Sequence, residues 1–151
     1  MFVTNHVLAG AAIGATCGKR PVVAFALGVA SHVAMDLTPH WGCDPSDTDR
    51  FLTVAKRDGV LGLAATGTAL AMGVPPRRAL AAGIAGAALL DLNKPFEHFF
   101  GWSPFPKFVD RFHHAIQREV RELFTTEMVG GAVLALGASQ VLVRQRRRRA
   151  V

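Results

Sequence analysis

His32 and Asp36 stand four residues apart in an otherwise apolar run, Val22 to Leu37, which is followed by Pro39, His40 and Trp41. At that spacing an imidazole and a carboxylate share one face of a helix and can reach a single metal ion. Burying either group without a partner is costly, so the pair needs a hydrogen-bonding or metal-binding explanation. A capping pair near a helix C-terminus, satisfied by neighbouring backbone, is the ordinary alternative.

His6, Asp58, Asp91 and His113 join this pair as candidate metal ligands. A mixed imidazole and carboxylate set suits Zn²⁺, with Mn²⁺ and Fe²⁺ as other divalent options. Such an ion, with one position open, lowers the pKa of bound water towards about 7 and polarises a phosphoryl or carbonyl oxygen. A spare carboxylate would orient or deprotonate that water. Asp58 is the expected catalytic base, and Asp36 the other choice. His40 and His98 fall in expected loops, where they could hold a second ion, bind substrate or face water, and Glu97 is a lesser candidate for a base.

The elements that must gather these residues are helices, since no segment reads as a strand. Asn5 can cap a first helix reaching about Cys17, which Gly18-Lys19-Arg20-Pro21 breaks. A second runs from Val22 to Leu37 and stops at Pro39. Gly42 to Arg50 reads as a polar loop. Arg57 to Met72 and Arg77 to Leu92 form the third and fourth helices across the turn Gly73-Val74-Pro75-Pro76, and Pro95 to Pro106 reads as an aromatic-rich loop. From Phe108 to Phe124, Phe108, Phe112, Ile116 and Val120 recur at helical spacing opposite Asp110, Arg111, Arg118 and Glu122. That pattern predicts an amphipathic helix with His113 turned inward and His114 nearer the polar side. A last helix spans Thr126 to Val143. The expected fold is all-α: a compact bundle of two helical hairpins plus an amphipathic helix and a C-terminal helix. It forms a single domain over residues 1–151, with 144–151 a basic tail.

Hairpin geometry turns these helices into a site. Residues equally far from a turn sit level, because each adds about 1.5 Å of rise. His6 and His32 are each about 13 residues from the first turn, and Asp58 and Asp91 about 16 from the second. Side-by-side hairpins would therefore collect His6, His32, Asp36, Asp58 and Asp91 near one end of the bundle.

Charge sorts along the same axis. Half of the 151 residues are hydrophobic, Lys and Arg number 17 against 11 Asp and Glu, and mean hydropathy is +0.28, more apolar than an average soluble domain. Lys19, Arg20, Arg77, Arg78 and the arginines from Arg144 to Arg149 occupy turns and tail that contain no acid. Basic turns on one side are what the positive-inside rule produces for membrane helices. The expected placement is a partly immersed bundle with its C-terminus cytoplasmic and the His/Asp end outside, its partners being membrane lipids; a soluble bundle with its basic end resting on anionic lipid is the competing placement. The helices are short for full spans. No DNA-reading pattern accompanies the arginines, so nucleic acid is not an expected partner. The opening residues lack the basic region and cleavage site of a signal peptide, and Val7 to Thr16 reads as retained. Cys17 and Cys43 are placed at opposite ends, too far apart for a disulfide.

Short motifs carry a resemblance. Leu90-Asp91-Leu92-Asn93-Lys94-Pro95 resembles the Pro-Asp-x-Asp-x-Pro stretch of the bacterial membrane-bound metal-dependent hydrolase family, also described as LexA-binding, inner-membrane-associated hydrolases. His6 in Thr4-Asn5-His6-Val7-Leu8-Ala9-Gly10 resembles that family's Thr-His-x-x-x-Gly segment, and Ser31-His32 through Asp36 its His-x-x-x-Asp helix. Leu90 and Asn93 stand where the family has Pro and a second Asp. A more distant likeness is to zinc-dependent phospholipase C. The resemblance implies a location in the bacterial cell membrane, a divalent metal, zinc above others, and hydrolysis of an ester or phosphoester. At a membrane surface the aromatic loop Phe96 to Phe105 could admit a lipid-like substrate, or Trp102 and the Phe residues could serve as interfacial anchors. A non-catalytic metal-stabilised membrane protein, or a structural, partner-binding membrane subunit with Ala- and Gly-rich packing faces, is the alternative.

Overall fold

Gly18 takes a φ of 61° and ends the first helix in the left-handed conformation that costs glycine nothing. Pro21 then opens the second at a position where its missing N–H is harmless. The computed structural model describes residues 1–42, 48–72 and 76–148. Its α-helices are α1 Val3–Thr16, α2 Pro21–Asp36, α3 Thr48–Ala71, α4 Arg77–Ala88, α5 Asn93–Phe100, α6 Lys107–Ile116 and α7 Phe124–Arg147. Short 3₁₀ turns at Leu90–Leu92 and Arg121–Leu123 precede α5 and α7. Among the described residues there is no strand, only an isolated bridge between His40 and Glu119, so the chain is all-α.

Glycine lets the central helices approach backbone to backbone. A Cβ on Gly10 of α1 would lie 2.5 Å from the carbonyl oxygen of Gly83 in α4, and a Cβ on Gly83 would lie 2.5 Å from that of Gly10. Gly86 presses in the same way against the Phe25 carbonyl of α2. α4 thus packs against both α1 and α2, while α3 and α7 lie along α1. Val7, Ala11, Ala15, Ala69, Leu80, Ile84 and Leu142 fill the core. α3 barely touches α4, so the two hairpins do not stand side by side as units. α7 runs parallel to α1, with Glu127 beside Phe2 and Asn5 and Leu142 in the core that holds Ala15. Lys19, Arg20, Arg77, Arg78 and the last turn of α7 consequently share the end opposite His6 and Asp36.

Several boundaries differ from expectation, each for a local reason. Pro95 sits in the first turn of α5, where its ring is tolerated, so part of the expected aromatic loop is a helix that Gly101 ends at φ 73°. α3 begins at Thr48, inside the expected polar loop. α4 gives way after Ala88 to the 3₁₀ turn that carries Asp91. The amphipathic helix breaks after Ile116, because the next residues pair with the chain leaving α2. There Arg118 N–H donates to Asp36 O (3.1 Å), His40 N–H to Arg118 O (3.0 Å) and Val120 N–H to His40 O (2.7 Å). That pairing satisfies backbone that would otherwise be buried unpaired. α7 carries the expected tail on as helix through Arg147. The 44–47 part of the expected loop, the 73–75 turn and Cys43 lie outside the described residues, and Cys17 is a buried free cysteine.

Candidate metal centre

Asp36, the last residue of α2, is completely buried at the meeting point of α1, α2, α6 and the strand-like residues that follow α2. Four histidine Nε2 atoms converge on its carboxylate. His6 is 3.3 Å and His40 4.0 Å from Oδ1, while His32 is 3.1 Å and His113 3.2 Å from Oδ2. All four rings are buried. His6 and His32, which hairpin geometry places level, stack with centroids 4.0 Å apart. Asp91 closes the cluster, its Oδ2 3.9 Å from His6 and its Oδ1 3.8 Å from His113.

Backbone carbonyls orient two of these rings. The Nδ1 of His32 lies 2.6 Å from Ala87 O, and that of His40 2.8 Å from Thr38 O. A carbonyl oxygen only accepts, so each Nδ1 carries a proton and each Nε2 faces the cluster. His32 Nε2 stands 3.1 Å from Asp36 Oδ2, where a protonated ring donates to the carboxylate and a neutral ring offers its lone pair to a cation. His32 Nε2, His113 Nε2 and Asp36 Oδ2 form a triangle with edges of 3.1, 3.2 and 3.2 Å. Donors bound at about 2.0 Å to one tetrahedral ion stand about 3.3 Å apart. Meanwhile both ring nitrogens of His6, Nε2 of His40 and Oδ1 of Asp36 are buried without any hydrogen-bond partner. Leaving such atoms unmet costs about 1–3 kcal/mol each, more where the group is charged. A cation among them removes that cost, so the donor set fits a divalent metal.

Lys94 guards the outer side, its Nζ 2.9 Å from Asp91 Oδ1 and its side chain about a third exposed. Burial would push the Asp91 carboxyl up, but the Lys94 ammonium and the His6 and His32 rings outweigh it and hold the group at about 2. Burial likewise opposes the Lys94 charge, yet Asp91 keeps its pKa above the ordinary value.

The structure thus brings together His6, His32, Asp36, Asp91 and His113, and three-residue groups able to hold an ion occur at His6, His32 and Asp36 and at His32, Asp91 and His113. Asp58 is engaged elsewhere. Its carboxylate accepts the Val3 N–H (2.6 Å) and the Thr4 N–H (3.3 Å), and its carbonyl accepts the Thr4 hydroxyl (3.0 Å), so it caps the start of α1. Asp58 is at the expected height, but α3 packs chiefly along α1, and the Asp58 carboxylate is spent on the start of that helix. It belongs to neither three-residue group. His114, His98 and Glu97 are exposed.

Two residues gain roles that spacing did not reveal. His40 is buried in the cluster, because its pairing with residues 118 and 120 fixes the segment after α2. Glu127 of α7 is buried beneath the site and accepts the Phe2 N–H (2.7 Å), the Asn5 side-chain amide (3.2 Å) and the Trp41 N–H (2.9 Å). A lone acid in the first turn of the apolar C-terminal helix was its only signal in the sequence.

Set beside protein-family models, curated proteins and solved structures, the chain matches none.

Proposed function

We propose that this chain is a membrane-associated, metal-dependent hydrolase of an ester or phosphoester with lipid-like character, built on a divalent ion, zinc first, held by His6, His32, Asp36, Asp91 and His113. The observation that carries the metal is the convergence of four buried histidine Nε2 atoms on the Asp36 carboxylate, with both His6 ring nitrogens and the His40 Nε2 left without a hydrogen-bond partner. A bound divalent ion supplies Lewis acidity and a more acidic water. The chain's own contribution is orientation. Carbonyls fix the rings, burial excludes bulk water, and the Lys94 ammonium at the rim favours a substrate with anionic oxygens.

Membrane residence rests on surface character. Residues Arg121–Arg147 form one helix long and apolar enough to cross a bilayer, with a mean hydropathy of 1.4 over its best window. Met128, Val129, Val133 and Leu136 of α7 are more than half exposed, as are Val60, Leu61 and Leu63 of α3. Phe99, Phe100, Trp102 and Phe108 expose an aromatic surface on and around α5, the helix that follows Asp91. Such residues favour the lipid headgroup region. By the positive-inside rule the arginine end is cytoplasmic and the metal end faces outward in a bacterial cell membrane.

Detergent-purified protein reconstituted with zinc is expected to hydrolyse bis(p-nitrophenyl) phosphate or a short-chain phosphatidylcholine, and to lose that turnover on chelation or in Asp36→Asn. Metal-loaded wild type that turns over neither would contradict the enzyme reading. It would favour a non-catalytic metal-stabilised bundle, a second reading supported by the burial of all the donors, since closed sites are typical of structural ions.

A further inference from the structure

The donors divide into two sets around two carboxylates. Oδ1 of Asp36 faces His6 and His40, and Oδ2 faces His32 and His113. Asp91 repeats the division, with Oδ2 towards His6 and Oδ1 towards His113. Each half thus offers two imidazole nitrogens and one oxygen from each carboxylate, four donors in all, which is the coordination number zinc prefers.

We propose that the cluster is a two-ion centre in which Asp36 bridges the metals, with His32 and His113 completing one site and His6 and His40 the other. This rests on the metal reading above and goes beyond it by assigning a second ion and a ligand, His40. One ion placed in the His32, His113 and Asp36 triangle leaves the other half unexplained. His6 and His40 would keep their Nε2 atoms buried without a hydrogen-bond partner, and Asp36 Oδ1 would have only the N-terminal ammonium of Met1, 3.8 Å away, as a further counter-charge. His40 is 2 % exposed, with its Nδ1 tied to Thr38 O, so its only free nitrogen points into the cluster. The backbone supports the same picture. Asp36 O accepts from Arg118, and His40 exchanges hydrogen bonds with residues 118 and 120, so one short pairing fixes the bridging residue and the extra ligand together. Two divalent ions about 3.5–4 Å apart can clamp both the attacking and the leaving oxygens of a phosphoester, which suits the proposed substrate class. With two carboxylates against two divalent cations the centre stays cationic, and this favours anionic oxygens.

The test is metal stoichiometry by plasma mass spectrometry on the full chain, purified in detergent and loaded with Zn²⁺ or Mn²⁺. Wild type is expected to hold two ions per chain, while His40→Ala, His6→Ala and His113→Ala each hold one. Manganese-loaded wild type should show an exchange-coupled electron paramagnetic resonance spectrum, and His40→Ala the signal of an isolated ion. One ion in wild type, or two retained in both His40→Ala and His6→Ala, overturns the two-ion centre and leaves a single-ion site standing. No ion in wild type overturns the metal reading itself. Circular dichroism separates loss of metal from loss of fold, and His6 and His40 lie on different segments, so failure of one variant to fold leaves the other to decide.

Discussion

An imidazole with one nitrogen tied to a backbone carbonyl has only its second nitrogen left for chemistry, and in His32 and His40 that nitrogen points at Asp36. The spacing of His32 and Asp36 made this face readable from the chain alone, and the levels of His6 and Asp91 in their hairpins did the rest. Asp58 shows the limit of the same reasoning. Counting residues from a turn fixes height along a bundle axis, but not the direction in which a side chain projects. Its role as a cap yields a prediction. Asp58→Ala should lower stability by about 1 kcal/mol, as loss of a cap does, and leave metal content unchanged; a thermal melt alongside elemental analysis checks both. Glu127 binds two segments to α7, so Glu127→Ala leaves buried N–H groups unmet and should cost about 2–3 kcal/mol or more. Chemical denaturation of metal-free protein measures that cost without a contribution from the ion.

At the scale of elements, close contact of α1, α2 and α4 decides where the ligands meet. Gly10 and Gly83 admit no side chain, whereas a Cβ on Gly137 of α7 would meet nothing within 4 Å. Gly10→Ala should therefore destabilise by about 1–3 kcal/mol through overpacking. Gly137→Ala should be neutral or stabilise by up to about 1 kcal/mol through helix propensity. Equal effects of the two would contradict the packing described. Apolar periodicity revealed the major helices, since burial of one face is what selects them. It could not reveal the break after Ile116. The residues up to Phe124 keep a helical pattern, but pairing with His40 supplies backbone partners that no local preference encodes. Pro95 misled in the opposite direction, because a proline in a first helical turn is indistinguishable in sequence from one in a loop.

Across the whole molecule the His/Asp cluster lies at one end and the basic turns, with the last turn of α7, at the other. α7 has 24 residues and measures about 36 Å, close to the roughly 30 Å hydrocarbon layer plus part of an interface. α1, with 14 residues, reaches only about 21 Å, too short for a full span. Val133→Lys with Leu136→Lys on the exposed face of α7 should shift the protein from the carbonate-resistant membrane fraction towards the soluble one. Unchanged fractionation would contradict lipid contact by this face. An ion bound at the cluster would couple to folding as well, because the donors are assembled only in the folded chain.

The central claim is that the buried His and Asp residues hold a metal ion, and zinc K-edge X-ray absorption of the reconstituted protein addresses it most directly. A shell of nitrogen and oxygen at about 2.0–2.1 Å, with outer scattering from at least two imidazole rings and loss of that scattering in His32→Ala, is the expected result. A shell of sulfur at about 2.3 Å, or an imidazole signal unchanged in His32→Ala, would contradict it.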